Sequence, residues 1–304
     1  MRKLIIAGGS GFLGSILINH FKNKVHSIIV LSRTKTKTTG NITYVKWDGQ
    51  TLGDWVKHLE HADVLINLTG KSVDCRYHEK NKERILFSRV DSTRVLGQGI
   101  ELSENPPKIW INSSTATIYE DSRDKEMDEE NGIIGTGFSV NVATSWEKEF
   151  FQFQNPQLRQ IALRTSIVFG RKGGAFVPLK NLSKVGFGGK QGDGQQKVSW
   201  IHEEDFARSV EYIIRNEDIK GVINIVSPSP TTNMDLMKMI RKGLKMPFGI
   251  PMSKLLLEMG ARVIKTETEL ILKSRNVIPK RLMEHGFTFK YPSLEKTILH
   301  LLKS

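Results

Sequence analysis

A glycine-rich loop directly after the first apolar run constrains this chain more than any other feature. Residues 8–14 read Gly-Gly-Ser-Gly-Phe-Leu-Gly, between a strand-like run at 3–7 and a helical pattern at 12–21. Glycines at this spacing allow a tight turn, a close backbone approach to a pyrophosphate and close helix packing. The helix N-terminus then faces the negative charge. With a strand before it and a helix after it, the loop predicts a dinucleotide site rather than a plain turn. The predicted cofactor contacts here are Gly8, Ser10, Gly11, Phe12, Leu13 and Gly14.

The end of the second predicted strand indicates which dinucleotide the site takes. An NAD site places Asp or Glu about 20 residues beyond the glycines, where the carboxylate accepts hydrogen bonds from the ribose. This chain has Ser32, Arg33 and Thr34 there, followed by Lys35. A guanidinium clasps a phosphate with two hydrogen bonds, and the hydroxyls can donate to its oxygens. These residues favour NADP(H) over NAD(H), with an ordinary surface role for Arg33 as the alternative.

The order of predicted elements indicates the fold class. Apolar runs at 3–7, 27–31, 42–45, 63–67, 109–112, 161–164 and 222–225 are strand candidates. Helical patterns cover 12–21, 52–59, 79–102, 140–153, 206–214, 235–244 and 253–272. Strands and helices in alternation are typical of a parallel sheet covered on both faces. We predict an α/β protein with a Rossmann-type doubly wound parallel sheet and a smaller, mainly helical C-terminal domain.

The regular alternation of predicted strands and helices stops after residue 170, and this change suggests the domain organisation. Residues 1–226 are predicted to form the NADP-binding Rossmann domain, with 171–199 as an excursion toward the substrate side. Residues 227–304 are predicted to form a C-terminal substrate-side domain, which ends with a short strand at 287–289 and a final helix.

Composition narrows the partners. The single cysteine, Cys75, excludes intramolecular disulfides and cysteine-based metal sites, and we predict no metal. A single free cysteine suits a reducing interior, so a cytoplasmic location is expected. No apolar stretch approaches the length of a membrane span, roughly 18 uncharged residues, so no span is expected. The net charge is +13, and residues 241–304 carry 13 Lys and Arg against 5 Asp and Glu. Without a nucleic-acid-binding motif, a solvated basic surface is favoured and nucleic acid is not expected. Docking on nucleic acid or on an anionic membrane surface is the weaker alternative.

Short motifs of one known family are distributed over nearly the whole chain. They include Asn67-Leu68-Thr69-Gly70, Ser88-Arg89, Ser113-Ser114-Thr115-Ala116, Trp146-Glu147, Trp200-Ile201-His202 with Asp205, and Pro279-Lys280-Arg281-Leu282 with Gly286-Phe287. Together with the glycine loop they resemble the extended short-chain dehydrogenases/reductases of the NAD(P)-dependent epimerase/dehydratase family. The last two sets resemble its atypical "epimerase family proteins", which carry a C-terminal domain of unknown function.

The resemblance implies further cofactor contacts. Leu68, Thr69 and Gly70 would line the adenosine and ribose side of the cofactor, and Arg89 would reach it from the following helix. Val168 would lie beside the nicotinamide. The alternative for each is a structural role, such as an ion pair for Arg89.

The catalytic pair of the superfamily is missing. Relatives use Tyr-x-x-x-Lys on a helix, where the lysine lowers the pKa of the phenol that transfers the proton. Here Phe138 and Val142 stand at those positions, and the chain contains no other Tyr-x-x-x-Lys. The Ser/Thr member of the set matches Thr115, which could bind a substrate oxygen or only cap the strand end. Tyr119 is the nearby phenol that could replace the missing acid.

His202 has the chemistry of a general acid or base, but its neighbours favour a structural role. We expect Asp205 to cap the helix at 206–214.

These features predict an NADP(H)-binding oxidoreductase or epimerase-like enzyme that acts on a small substrate. The basic C-terminal region favours an anionic one. The alternative is a non-catalytic NADP(H)-binding sensor or scaffold. Pairing of two chains through the helix at 79–102 stays open.

Overall fold

The structure, a computed structural model, describes residues 1–34, 36–264 and 267–303, so Lys35 lies outside the described residues. The strands are β1 Lys3–Ala7, β2 Ser27–Ser32, β3 Lys37–Thr39, β4 Ile42–Lys46, β5 Val64–Asn67, β6 Ile109–Thr115, β7 Arg159–Thr165, β8 Ile167–Phe169, β9 Lys197–Val198, β10 Trp200–His202, β11 Gly221–Ile225 and β12 Thr231–Thr232. The helices are α1 Phe12–Phe21, α2 Glu79–Leu102, α3 Phe138–Phe151, α4 Phe176–Lys184, α5 Glu203–Arg215, α6 Asn233–Gly243, α7 Lys254–Ile264, α8 Glu269–Leu272, α9 Lys280–Glu284 and α10 Leu294–Leu302.

One sheet dominates the fold. Within the described residues it has eight strands in the order β11-β7-β6-β5-β1-β2-β4-β3. All neighbours pair in parallel except β3, which runs antiparallel to β4 at the edge. The order reverses at β1, which lies between β2 and β5. Ligands of open α/β sheets bind at such a reversal, outside the carboxyl ends of the strands.

Helices cover both faces of the sheet, as the apolar runs require. Alternate residues of β1 belong to two separate cores, with Leu4 and Ile6 in one and Ile5 and Ala7 in the other. Strands that are buried on both faces read as continuous apolar runs, which explains why β1 was visible in the sequence. The predicted fold class is confirmed.

The C-terminal region packs closely against the sheet domain. A third core joins α4, α6 and α10 around Phe176, Trp200 and Ile298. Val277 forms a parallel bridge with Met127. The carboxylate of Asp205, which is completely buried, accepts hydrogen bonds from the backbone amides of Lys290 and Tyr291 at 2.9 and 2.7 Å. The division at residue 226 stays a prediction.

Several local predictions need correction. Residues 52–59 contain only a short 3-10 helix, Asp54–His58, and the single helix expected at 253–272 is replaced by α7 and α8. Residues 287–289 form no strand, although Phe287 and Phe289 pack edge to face. His202 caps α5 instead of Asp205, because its Nδ1 accepts the Glu204 amide while Asp205 binds the C-terminal segment.

Two further predictions concern the surroundings of the chain. Among the helices in the described ranges, none combines the length and the apolar character needed to cross a membrane. α2 packs against α3, with Arg94 paired to Glu149. Pairing of two chains through α2 stays a prediction.

Candidate active site

A cleft of about 600 Å³ opens at the carboxyl ends of the parallel strands. Its walls are the glycine loop, the segment after β5, the end of β6, the start of α3 and the turn after β7. It therefore lies where the reversal of strand order predicts a ligand.

The backbone of the glycine loop has the shape of a phosphate cradle. Gly8 has φ +73°, and a Cβ there would lie 2.9 Å from the Thr69 backbone. A Cβ on Gly14 would lie 2.3 Å from the Gly9 carbonyl oxygen, so α1 packs tightly on the loop. A Cβ on Gly11 would meet only the Gly8 oxygen, at 3.8 Å. Gly11 is also the N-cap of α1 and provides no side chain for its first amides. This open backbone fits a pyrophosphate.

The predicted contact Thr69 carries an unused hydrogen-bonding group. Its backbone amide donates to Asn67 Oδ1 at 3.0 Å, which holds the turn after β5. Its hydroxyl is buried, and within the described part of the chain it has no hydrogen-bond partner. A buried hydroxyl without a partner is costly, so a ligand atom at this point would stabilise the site. Leu68 and Gly70, on either side of Thr69, also line the cleft.

The end of β2 lies next to the glycine loop. The Gly8 amide donates to the Leu31 carbonyl at 2.9 Å. The hydroxyls of Ser32 and Thr34 lie 2.7 Å apart. Arg33 is exposed, and its guanidinium forms no hydrogen bond or ion pair with any residue that the structure describes. Its charge is therefore available to an anion.

Arg89 forms hydrogen bonds with backbone carbonyls in one wall of the cleft. Its guanidinium donates to the carbonyls of Lys71 and Ile85 at 3.1 and 2.9 Å, and it lies 5.1 Å from the Trp146 ring centroid. Burial lowers its pKa to about 10, even though the nearby Tyr77 favours the charged form. A Cβ on Gly70 would lie 3.0 Å from the guanidinium carbon. Arg89 therefore binds carbonyl groups of the cleft wall instead of the acid considered from the sequence.

Four hydroxyl-bearing residues at and just after the end of β6 line the cleft: Ser113, Ser114, Thr115 and Thr117. Thr115 Oγ1 accepts the Thr117 amide at 3.2 Å and thereby caps a short 3-10 helix, Ala116–Ile118. Thr115 lines the cleft as well, so its capping and substrate-binding roles remain compatible. Ser114 also lines the cleft, and its hydroxyl donates to the buried Glu147 at 2.6 Å.

Tyr119 is not among the described residues that line the cleft. It is 1% exposed, its hydroxyl donates to Asn224 at 2.9 Å, and Arg164 donates to the same oxygen at 2.9 Å. Burial raises the pKa of this phenol. Glu147 holds Arg164 with two hydrogen bonds, so Tyr119 belongs to a buried polar network beneath the sheet edge.

The phenol that the structure does bring to the cleft is Tyr77, which sequence reasoning missed. Its ring packs on Phe138, which lines the cleft together with Ser139 and Val142. Burial raises the pKa of Tyr77 to about 12, and a hydrogen bond with the Ser139 side chain acts against that shift. Lys71 also lines this wall, and its Nζ lies 3.8 Å from Cys75 Sγ. The rule that ligands bind beyond strand ends would have drawn attention to this segment after β5.

The remaining predicted residues have clear positions. Val168 lines the cleft in β8, while Phe12 packs its ring against the loop at Gly173 and Gly174. His202 is buried away from the cleft, and its Nε2 lies 3.0 Å from His300 Nδ1. Within the described ranges, His, Cys, Asp and Glu form no group of three that could hold a metal.

A parallel sheet with reversed strand order, a glycine cradle and an open helix N-terminus defines a Rossmann-type dinucleotide-binding protein. The chain belongs to the NAD dependent epimerase/dehydratase family, whose sequence profile matches residues 4–226. Residues 263–301 match a domain of unknown function, DUF1731. The resemblance inferred from the motifs is confirmed.

Relatives match over the full length. Epimerase family protein YfhF of Bacillus subtilis (strain 168) is 32% identical over 303 residues, covering 98% of this chain and 97% of that protein. Epimerase family protein SDR39U1 of Mus musculus is 28% identical over 302 residues, covering 97% of this chain and 98% of that protein. The crystal structure of human SDR39U1 (isoform 2) with NADPH superposes with a TM-score of 0.87 at 26% identity, covering 99% of both chains.

Proposed function

We propose that this chain binds NADP(H) and uses it as an oxidoreductase or epimerase-like enzyme on a small substrate in the cleft. The proposed cofactor agrees with the NADPH bound to the human relative. The observation that carries the proposal is Arg33, a cation without a protein partner among the described residues, beside the glycine loop. In Rossmann folds the carboxyl end of the second strand faces the 2′-position of the adenosine ribose, where a phosphate distinguishes NADP from NAD.

The chain's own groups would bind the dinucleotide in three places. The open backbone at Gly11 and the first amides of α1 would hold the pyrophosphate. The unpartnered hydroxyl of Thr69 would bond to the adenosine half, with Leu68 and Gly70 beside it. Arg33, Ser32 and Thr34 would enclose the 2′-phosphate. Val168 is proposed to contact the nicotinamide and Arg89 to hold the surrounding wall.

Proton transfer would fall to hydroxyl groups of the cleft. NADP(H), when bound, supplies or accepts a hydride at its nicotinamide ring. The Thr115 hydroxyl would orient a substrate oxygen, and the protonated Tyr77 phenol could donate a proton to it. Lys71, in the same wall, would attract an anionic group on the substrate.

A second candidate is an NADP(H)-binding sensor without turnover. Phe138 and Val142, which have no group that can transfer a proton, favour it. Turnover separates the two candidates. An enzyme should oxidise NADPH saturably with some member of a panel of aldehydes and diketones. Thr115→Ser should retain this activity and Thr115→Ala should lose it, whereas a sensor would show no saturable oxidation.

Calorimetric titration with NADPH and NADH tests the cofactor. We expect Arg33→Asp to weaken NADPH binding by about 10- to 100-fold, the worth of a charged hydrogen-bonded contact, while NADH binding changes little. Lys108→Asp makes the same charge change on an exposed side chain before β6 and serves as the control. Equal NADPH affinity in wild type and Arg33→Asp would contradict the proposed site.

A further inference from the structure

An exposed apolar surface lies on the C-terminal side of the molecule, in segments that the cofactor site does not use. Seven of the 16 exposed large apolar side chains in the described part of the chain fall within residues 185–187 and 248–259. They are Val185, Phe187, Phe248, Ile250, Leu255, Leu256 and Met259, with 41–69% of each side chain exposed. Clusters of this kind on a folded protein indicate an interaction surface.

Backbone hydrogen bonds hold these segments side by side. The Ile250 amide donates to the Gly186 carbonyl at 2.8 Å, and the Gly189 amide donates to the Ile250 carbonyl at 3.2 Å. The Met252 amide donates to the Lys190 carbonyl at 2.9 Å. α7 begins two residues later, at Lys254, with Leu255 and Leu256 in its first turn. The two segments therefore lie next to each other in the fold, and we name their exposed apolar side chains, together with the lysines of these segments, the apolar–basic patch.

The segments that carry the exposed apolar side chains, and the residues next to them in the chain, are rich in lysine and arginine. Residues 176–191 and 236–259 contain eight Lys and Arg and a single acid, Glu258. Lys184, Lys245 and Lys254 are exposed, and none of them forms an ion pair within the described ranges. Four of the 13 Lys and Arg of residues 241–304 lie in these segments, and Lys180, Lys184, Lys190 and Lys238 add to them from outside that range.

We propose that the apolar–basic patch docks the protein on the surface of an anionic lipid bilayer. Leu, Ile and Phe side chains gain free energy when they enter the boundary between headgroups and acyl chains. Lysines around them are attracted to anionic headgroups and can keep their ammonium groups in water while their stems lie along the apolar layer. A single partner, the anionic bilayer, would therefore bind both the apolar side chains and the lysines of the patch.

Two other occupants fit less well. In a symmetric dimer the patch would face itself, so the lysines of two chains would meet with one acid per chain, Glu258, to offset them. Nucleic acid would neutralise the lysines, but it offers no apolar layer to Val185, Leu255 and Leu256. The proposal is independent of the cofactor site.

Co-sedimentation with vesicles tests the docking. We expect wild-type protein to bind phosphatidylcholine vesicles that contain phosphatidylglycerol, and to bind phosphatidylcholine alone at least about tenfold more weakly. Replacing both Leu255 and Leu256 by Ser should weaken binding at least about tenfold. Replacing both Lys184 and Lys254 by Glu should weaken it by at least about fivefold per lysine and reduce its salt dependence.

Leu102→Ser and Lys108→Glu, exposed positions far from these segments in the chain, are matched controls that should bind like wild type. Thermal unfolding of each variant establishes that it is folded. Three outcomes would overturn the proposal: no binding of wild type to the anionic vesicles, wild-type binding by both patch variants, or a dimer in sedimentation equilibrium that Leu255→Ser with Leu256→Ser converts to monomer. DNA binding that the lysine variants abolish, without lipid binding, would also overturn it.

Discussion

The ring of Tyr77 packs edge to face on the ring of Phe138, with centroids 5.1 Å apart. The motif resemblance to short-chain dehydrogenases/reductases predicts that Phe138 stands at the position of their proton-transferring phenol. The contact therefore brings a phenol from a different segment, the loop after β5, into the neighbourhood of the missing one. The Tyr77 amide donates to Glu267 at 2.7 Å, which ties this loop to the C-terminal region.

Tyr77→Phe should lower NADPH oxidation with an active carbonyl substrate by about 100-fold or more, the usual contribution of a general acid. Cofactor affinity should stay within twofold, measured by calorimetry. Because the pKa is raised to about 12, the phenol stays protonated and the rate should not fall between pH 7 and pH 10 through this group. Tyr44→Phe, a phenol outside the cleft lining, is the control. Full activity in Tyr77→Phe would remove this residue from the proposed chemistry.

Two glycines of the loop should respond differently to the same methyl group. Gly14→Ala places a Cβ 2.3 Å from the Gly9 carbonyl oxygen and should destabilise the fold by about 1–3 kcal/mol. In Gly11→Ala the nearest atom to the new Cβ is 3.8 Å away, so the free energy of unfolding should stay within about 1 kcal/mol of wild type. The affinity for NADPH should nevertheless fall at least tenfold. Urea unfolding and calorimetry report the two quantities. Unchanged affinity in Gly11→Ala would place the pyrophosphate elsewhere.

Thr69→Val should separate ligand binding from stability. The Thr69 hydroxyl has no partner in the described part of the chain, so its removal should leave the free energy of unfolding unchanged or raised by about 1 kcal/mol. NADPH affinity should fall by about 5- to 10-fold, the worth of one hydrogen bond. Thr93→Val is the contrast, because Trp146 donates to that buried hydroxyl, and it should destabilise the protein. Undiminished NADPH affinity would show that the Thr69 hydroxyl meets no cofactor atom.

His202 should make the protein lose stability in acid. Burial, followed by the positive charge of His300, lowers its pKa to about 3 in the folded state, from an ordinary value of 6.5. Below pH 6.5 the His202 imidazole binds a proton in the unfolded chain but stays neutral in the folded chain. The free energy of unfolding therefore falls as pH falls. This group alone should contribute up to about 1.4 kcal/mol per pH unit between pH 6 and pH 4.

His202→Asn keeps a side-chain oxygen that can accept the Glu204 amide but does not titrate. Urea unfolding between pH 7 and pH 4 should therefore show a shallower decline for this variant than for wild type. His26→Asn, an exposed histidine, should leave the slope unchanged. Parallel slopes for wild type and His202→Asn would refute the assignment.

Local patterns predicted the sheet domain well because its strands are buried on both faces. β1 and α1 were predicted with the bounds that the structure has. Failures arose where tertiary contacts decide: Asp205 follows the rule for a cap, but its carboxylate binds amides 85 and 86 residues away. Tyr77 belongs to no motif, and only the folding of its loop onto α3 brings it to the cleft. The strand β2 and the turn at the glycine loop could be predicted because their geometry is local, and their cofactor contacts stay predictions.

The buried carboxylate of Asp205 has a consequence for how the protein could be divided. A fragment ending near residue 226 would keep Asp205 but lose the two backbone amides that donate to its carboxylate, leaving Arg208 as its ion-pair partner among the described residues. An incompletely solvated buried charge costs several kcal/mol, a large part of a domain's net stability. We therefore expect the sheet and the C-terminal region to unfold in one cooperative transition, so that neither can be removed without loss of the other's stability.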